Sequence, residues 1–200
     1  MTYHHFVGDG LNRSEKIQQW VIDQLLNSKL PNEARESSIE WELKHSSGVI
    51  QMARLLAQKR GMEEELGEIA AAMHDIYVIT HGSYENHAQK GAEIAKGILK
   101  NEGRFSQQEI GDIVDAIRCH SDKHIDSKNE LIELIKDADC TDCFFYGDRV
   151  YDYKPPQMLK HYYMRIISIR KELGLPPKKY FSEQLSIIQK SGGIRGEIDE

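Results

Sequence analysis

The apolar residues of this chain recur three or four positions apart almost throughout, which is the spacing of α-helices that bury one face. In the segment 14–28, for example, Ile17, Val21 and Leu25 share one helical face. The alternation of apolar and polar residues that is typical of strands is hard to find. The pattern therefore predicts an all-α protein, a single globular bundle of about seven or eight helices.

Glycines, prolines and capping residues divide this pattern into segments. Gly61 stops one long helix, and the sequence from Ser106 to Glu109 matches a capping box that starts another. The predicted helices span residues 14–28, 38–60, 63–78, 86–100, 107–120, 129–146, 157–173 and 179–190. We expect a single domain over 1–190, with a core over about 40–145, a helical extension over about 157–190 and a flexible tail over 191–200.

The charge balance argues against two classes of partner. Lys and Arg total 26 against 32 Asp and Glu, so with a net charge of −6 we expect neither general nucleic-acid binding nor a polybasic membrane contact. No apolar stretch approaches the roughly 18 residues that a membrane span needs, and residues 1–10 lack a secretory signal pattern. Three cysteines suit a reducing compartment, so we expect a cytoplasmic protein.

Four of the nine histidines lie on apolar helix faces. Each has apolar or small residues at helical spacing, so four separate helices direct one histidine toward the core: His45, His74, His87 and His120. One inward histidine alone is more often a hydrogen-bonded core residue than a ligand. Four of them on separate helices indicate a shared partner.

Two aspartates have the same inward orientation. Asp139 follows Ile135 by four positions and faces the core, whereas Asp137 is rotated by about 200° from it. We therefore expect Asp139 rather than Asp137 to be functional. Asp75 directly follows His74 and lies against small residues.

These six buried polar groups need partners. Burying one without a partner costs about 1–3 kcal/mol, so six could cancel the ~5–15 kcal/mol net stability of a domain. One or two divalent metal ions would satisfy all six together. Histidine nitrogen with carboxylate oxygen suits transition metals, and the expected ion is Mn, Fe, Co, Ni, Zn or Mg.

The order of these residues resembles that of the HD-domain metal-dependent phosphohydrolases. His45, the pair His74-Asp75 and Asp139 are similar to the family's H…HD…D signature. Two further segments, HAQKGAEIA from His87 and AIRCHS around His120, resemble the subset with extra histidines, which includes symmetrical dinucleoside tetraphosphate hydrolases. The resemblance covers about residues 40–145 and implies that the single domain is an HD-type bundle.

The resemblance implies hydrolysis of a phosphate ester or anhydride of a nucleotide or other small phosphorylated compound, by attack of a metal-bound hydroxide. His45, His74, Asp75 and Asp139 would hold a first ion, and Asp75 would bridge to a second ion held by His87 and His120. His74 and Asp75 would be the catalytic pair. Two other readings stay open: a di-iron oxygenase of the inositol-oxygenase-like branch, and a non-catalytic metal-binding sensor or scaffold.

A phosphorylated substrate also needs cationic partners. The candidates near the ligand segments are Lys90, Arg118, Lys123 and His124, although each is more often a solvated surface charge. Cys140 and Cys143 form a lone CxxC pair inside a predicted helix, which favours structural cysteines. Assembly into a homo-oligomer is compatible with the sequence.

Overall fold

The computed structural model describes residues 5–8 and 10–193, with the side chains of 191–193 outside that description. Within these residues the chain forms helices and no strand, as the periodicity predicts. The α-helices are α1 Arg13–Leu26, α2 Ile39–Arg60, α3 Glu64–Met73, α4 Ile76–His81, α5 His87–Glu102, α6 Gln107–Cys119, α7 Glu130–Tyr146, α8 Pro156–Glu172 and α9 Lys179–Gly193, and a 3₁₀ turn spans Asn32–Ala34.

The segment predicted as one helix over 63–78 is two helices, α3 and α4, which raises the number of α-helices in the described residues to nine. The break lies at His74 and Asp75, where the backbone of Asp75 leaves the helical region (φ −104°, ψ 24°). Both side chains are buried there. In a continuous helix these two neighbouring side chains would point about 100° apart. The break changes the backbone direction between them, and both side chains reach the interior.

Local signals account for several helix ends. Ser106 and Glu109 form the predicted capping box at the start of α6. Ser38 caps α2 by accepting a hydrogen bond from the Trp41 amide. Gly61 ends α2 in the left-handed conformation at φ 66°, which a residue with a Cβ adopts less readily.

The interior consists of two apolar clusters. The larger one surrounds α3, whose Ala70, Ala71 and Ala72 are fully buried and allow α2, α6 and α7 to approach closely. The smaller cluster joins the end of α7 to α8 and α9 through aromatic residues such as Phe144 and Phe181. The C-terminal extension therefore packs against the helix that carries Asp139.

Two further expectations concern the ends and surface of the chain. Of the residues expected to form a tail over 191–200, residues 191–193 belong to the end of α9, and residues 194–200 lie outside the described part. None of the described helices has both the length and the apolar composition needed to cross a membrane.

Candidate metal centre

Three of the four inward histidines lie where a helix begins or ends. His74 and His120 cap the C-terminal ends of α3 and α6, and His87 is the first residue of α5. Nδ1 of each bonds to the backbone carbonyl three residues earlier, at 2.7 Å for His74 and His120 and 2.9 Å for His87. Within α2, Nδ1 of His45 bonds instead to Oδ2 of Asp142 at 2.7 Å.

These bonds assign the tautomer of all four rings. Carbonyl and carboxylate oxygens accept, so each Nδ1 carries a hydrogen, and in the neutral ring each Nε2 then has a free lone pair. Nε2 of His45 lies 3.2 Å from Nε2 of His74, and Nε2 of His87 lies 3.1 Å from Nε2 of His120. Two nitrogen lone pairs that face each other at this distance repel unless a proton or a metal cation lies next to both.

Asp75 lies between the two histidine pairs. Its Oδ2 is 3.4 Å from Nε2 of His74 and 3.9 Å from Nε2 of His45. Its Oδ1 is 3.4 Å from Nε2 of both His87 and His120. Oδ1 is buried and has no hydrogen-bond partner among the described residues. Asp75 thus turns one oxygen to each histidine pair, which is the orientation that a carboxylate would need to share two cation positions.

Asp139 lies beside the pair formed by His45 and His74. Its Oδ1 lies 3.4 Å from Nε2 of His45, and its Oδ2 accepts a hydrogen bond from the Lys123 ammonium at 2.5 Å. Within the described residues, ligand atoms mutually within 4.8 Å form two groups: His45, His74 and Asp139, and His74, Asp75 and His120. Asp137, which the sequence analysis set aside, pairs instead with Arg60 and Arg165.

The electrostatics of the site favour a positive charge at its centre. Burial would raise the pKa of Asp139, but the Lys123 ammonium and the hydrogen bond with His45 outweigh it and hold that pKa well below its usual range. Burial lowers the pKa of His120, which favours the neutral imidazole that ligates metals. Burial acts in the same direction on His45, but hydrogen bonds with Asp139 and Asp142 outweigh it and raise that pKa well above normal. A proton or a metal ion can supply this charge.

The centre opens into a cavity of about 740 Å³, a size that suits a small organic ligand. Five of the six predicted ligands line it: His45, Asp75, His87, His120 and Asp139. Other lining residues come from the start of α2, from the connection between α7 and α8, and from α8 itself. The C-terminal extension thus forms part of the wall.

The four cations predicted to contact substrate are placed differently from one another. Lys123 is at the centre, but its ammonium is engaged by Asp139. Lys90 and Arg118 form ion pairs outside the cavity, and His124 is exposed. None of these four residues lines the cavity, so the geometry does not support the predicted contacts. The reason is that sequence proximity to a ligand does not determine which way a surface side chain points.

Three features of the centre were not predicted from the sequence: Asp142, the pairing of Lys123 with Asp139, and the role of Gly48. Asp142 lies three residues after Asp139 on α7, so helical spacing is the signal that would have identified it. Both cysteines of the CxxC pair are buried in the smaller apolar cluster, which agrees with structural cysteines. Cys143 also lines the cavity, with its Sγ 3.7 Å from Oδ1 of Asp139.

Gly48 provides the space that Asp142 occupies. A Cβ at this position would lie 1.8 Å from Oδ1 of Asp142, so Gly48→Ala must displace the carboxylate that orients His45. We expect metal affinity to fall about 10–100-fold, as is typical when a partner of a metal ligand is lost, and the melting temperature to fall as well. Titration with Mn²⁺ and calorimetric melting measure these two effects.

Gly111→Ala is the matched control, because Gly111 lies inside α6 and a Cβ there meets nothing within 4 Å. It should leave metal affinity unchanged and stabilise the protein by about 0.5–1 kcal/mol. Equal metal affinity in both variants would show that Asp142 does not support the site.

Comparison with known proteins identifies the family. A family model described as the HD domain matches residues 43–143, about half of the chain and including all six inward histidines and aspartates discussed above. The chain therefore belongs to the HD domain family. HD domains bind divalent metal ions, and the donor set described here suits such ions.

Proteins similar to this chain include a curated relative and a solved structure. Ribonuclease Y of Clostridium tetani (strain Massachusetts / E88) is 37% identical over 94 residues, which cover 46% of this chain and 16% of that protein. The crystal structure of a predicted HD superfamily hydrolase from an uncultured Thermotogales bacterium superposes with a TM-score of 0.53 at 21% identity, over 90% of this chain and 92% of that one. The second likeness supports the fold, including the C-terminal helices beyond the family match.

Proposed function

We propose that this protein is a metal-dependent phosphohydrolase that cleaves a phosphate ester or anhydride of a small phosphorylated compound, with a nucleotide as the leading candidate. The observation that carries the proposal is the convergence of four Nε2 lone pairs on the two oxygens of Asp75. This donor set faces a cavity large enough for such a compound. Membership of the HD domain family supports the hydrolase class.

In this proposal His45, His74, Asp75 and Asp139 would hold one cation, and Asp75, His87 and His120 would hold another. When bound, divalent ions lower the pKa of water and neutralise charge that develops on phosphoryl oxygens. The buried Nδ1–H bonds keep the imidazoles oriented while substrate enters and product leaves. Lys123 holds the second oxygen of Asp139, which leaves its Oδ1 directed toward His45.

The direct test is hydrolysis of a panel of phosphate compounds by the purified protein, first stripped of metal and then supplied with Mn²⁺ or Co²⁺. We expect phosphate release that depends on the added ion. The panel should include RNA oligonucleotides, because the Clostridium tetani relative is named a ribonuclease. Bound iron with oxygen consumption would favour the oxygenase reading, and bound metal without turnover would favour a sensor or scaffold.

The two-cation assignment makes a separate prediction for His120. His120→Ala removes one donor beside Oδ1 of Asp75 and leaves the group of His45, His74 and Asp139 intact. We expect the bound metal to fall from about two ions to one per chain, which elemental analysis of the protein measures. An unchanged stoichiometry would contradict the assignment. The exposed His124, replaced by alanine, is the matched control.

A further inference from the structure

One lysine on the cavity wall forms no ion pair with any carboxylate in the described part of the chain. Lys154 lies in the connection between α7 and α8, and it is the only lysine or arginine among the described residues that line the cavity. Its Nζ lies 5.5, 5.2 and 5.3 Å from the ring centres of Tyr151, Tyr153 and Tyr162. Tyrosine rings attract an ammonium group weakly, and they do not replace the hydrogen-bond acceptors that its three N–H groups can use.

The C-terminal extension holds this lysine in place. The backbone amide of Lys154 donates to the Tyr151 carbonyl at 2.8 Å. Two residues earlier, the carboxylate of Asp152 accepts hydrogen bonds at 3.2 Å from the hydroxyls of Tyr163 on α8 and Tyr180 on α9. Asp152 thus anchors the segment that carries Lys154 to both C-terminal helices. The half-buried Lys154 itself lines the cavity.

Burial also affects Lys154 directly. It lowers the pKa of the ammonium, although Asp139 acts in the opposite direction. A partly desolvated cation without an anionic partner is stabilised by an anion that enters the cavity. Of the three carboxylates on the described cavity wall, Asp75 and Asp139 already face the histidines or Lys123. The third, Glu36, accepts hydrogen bonds from Ser83 and the Tyr84 amide. We therefore expect the anionic partner of Lys154 to be a ligand that binds in the cavity.

The rest of the lining limits how much negative charge this ligand carries. Glu36, at the start of the cavity wall before α2, has a lowered pKa because it accepts hydrogen bonds from Ser83 and the Tyr84 amide, so it is anionic. Beyond the proposed metal ions, the described lining offers only this one lysine, beside one carboxylate. A polyphosphate tail or an RNA strand needs cations at its further phosphate groups, so the lining suits a single phosphate group better. Tyr153 adds a ring that is 78% exposed, which is available to stack on a flat base.

We infer that the ligand of this cavity is a nucleoside monophosphate, with Lys154 binding its phosphate group and Tyr153 stacking on its base. This inference rests on the proposed function, since it names the substrate class of the same site. It also gives the connection between α7 and α8 a role in the cavity wall: this connection supplies both residues, and the HD core supplies the metal ligands.

The test is calorimetric titration of the Mn²⁺-loaded protein with four compounds. They are adenosine, inorganic phosphate, adenosine triphosphate and the phosphonate analogue of adenosine monophosphate, in which a methylene group in place of the ester oxygen prevents hydrolysis. We expect the phosphonate to bind most tightly. Lys154→Gln should weaken the phosphonate by at least about tenfold and leave adenosine unchanged, because it removes a charge-assisted hydrogen bond.

Tyr153→Ala should weaken adenosine and the phosphonate alike, by at least about fivefold, because it removes the stacking surface. Lys154→Arg and Tyr153→Phe should retain most of the binding, since they keep the charge and the ring. Lys160→Gln is the matched control for charge, because Lys160 lies on α8 outside the cavity lining. All variants should keep the metal content of the unmodified protein.

The inference is overturned if the phosphonate does not bind, if adenosine triphosphate binds more tightly, or if Lys154→Gln and Lys160→Gln behave alike. In each of these cases, metal-dependent phosphate release from other esters would leave the proposed function intact. Absence of hydrolysis for every compound, with the expected binding pattern present, would instead refute the proposed function and leave a nucleotide-binding site.

Discussion

Asp75→Ala should remove most bound metal and lower phosphohydrolase activity by more than about a hundredfold, which exceeds the usual cost of losing an outer-sphere partner. The reason is the position of this carboxylate, which turns one oxygen toward His74 and the other toward His87 and His120. Loss of one side chain therefore takes a donor from both ion positions. His74→Ala should have a similar effect on the first position.

Metal analysis and the phosphate-release assay measure these effects, and circular dichroism checks the fold. We expect most of the helical signal to persist, because α3 is held by apolar contacts as well. Asp115→Ala, at an exposed ion pair on α6, is the matched control and should keep both metal and activity. If Asp75→Ala and His74→Ala both retain full metal content and the full rate, the proposed centre is wrong.

Lys123→Met should destabilise the metal-free protein by about 3–5 kcal/mol, because it leaves the buried Asp139 carboxylate without its ammonium partner. At about 2–4 °C per kcal/mol for a domain of this size, the melting temperature should fall by roughly 6–20 °C. With saturating Mn²⁺ the loss should be smaller, since a bound cation compensates the same carboxylate. Calorimetric melting with and without metal measures the difference.

Lys128→Met is the matched control for this experiment, because Lys128 is exposed and forms none of these contacts. It should change stability by less than about 0.5 kcal/mol in either condition. An equal loss of stability for Lys123→Met with and without metal would show that the bound ion does not share Asp139. The outcome thus separates a purely structural ion pair from one that belongs to the metal centre.

Much of the centre follows from helical periodicity. The inward orientation of His45 and Asp139, and the rotation of Asp137 away from Asp139, depend only on residue spacing within a single helix. In the structure His45 and Asp139 meet at the centre, whereas Asp137 is buried at a different place and pairs with Arg60 and Arg165. The resemblance to the HD family also came from the ordered positions of these residues. Their role as metal ligands stays a prediction, which the Asp75 and His120 variants test.

Other features depend on contacts between distant segments. The break at His74 leaves no strong signal in the sequence, since no glycine or proline accompanies it. Asp142 and Gly48 are 94 positions apart, and only the packing of α7 on α2 brings them together. Likewise, only the packed structure shows that Lys123 is buried against Asp139, because the sequence does not distinguish it from the other cations near the ligand segments.

The sequence by itself determined the helical class, the six inward polar residues and the family, because the period of an α-helix and the order of residues are properties of short segments. The tertiary structure decided which oxygen of Asp75 faces which histidine pair. It also decided that Lys123 pairs with Asp139 while Lys154 lines the cavity, and how the C-terminal helices pack beside that cavity. These depend on distances between atoms far apart in the chain, which are set when the helices pack and not before.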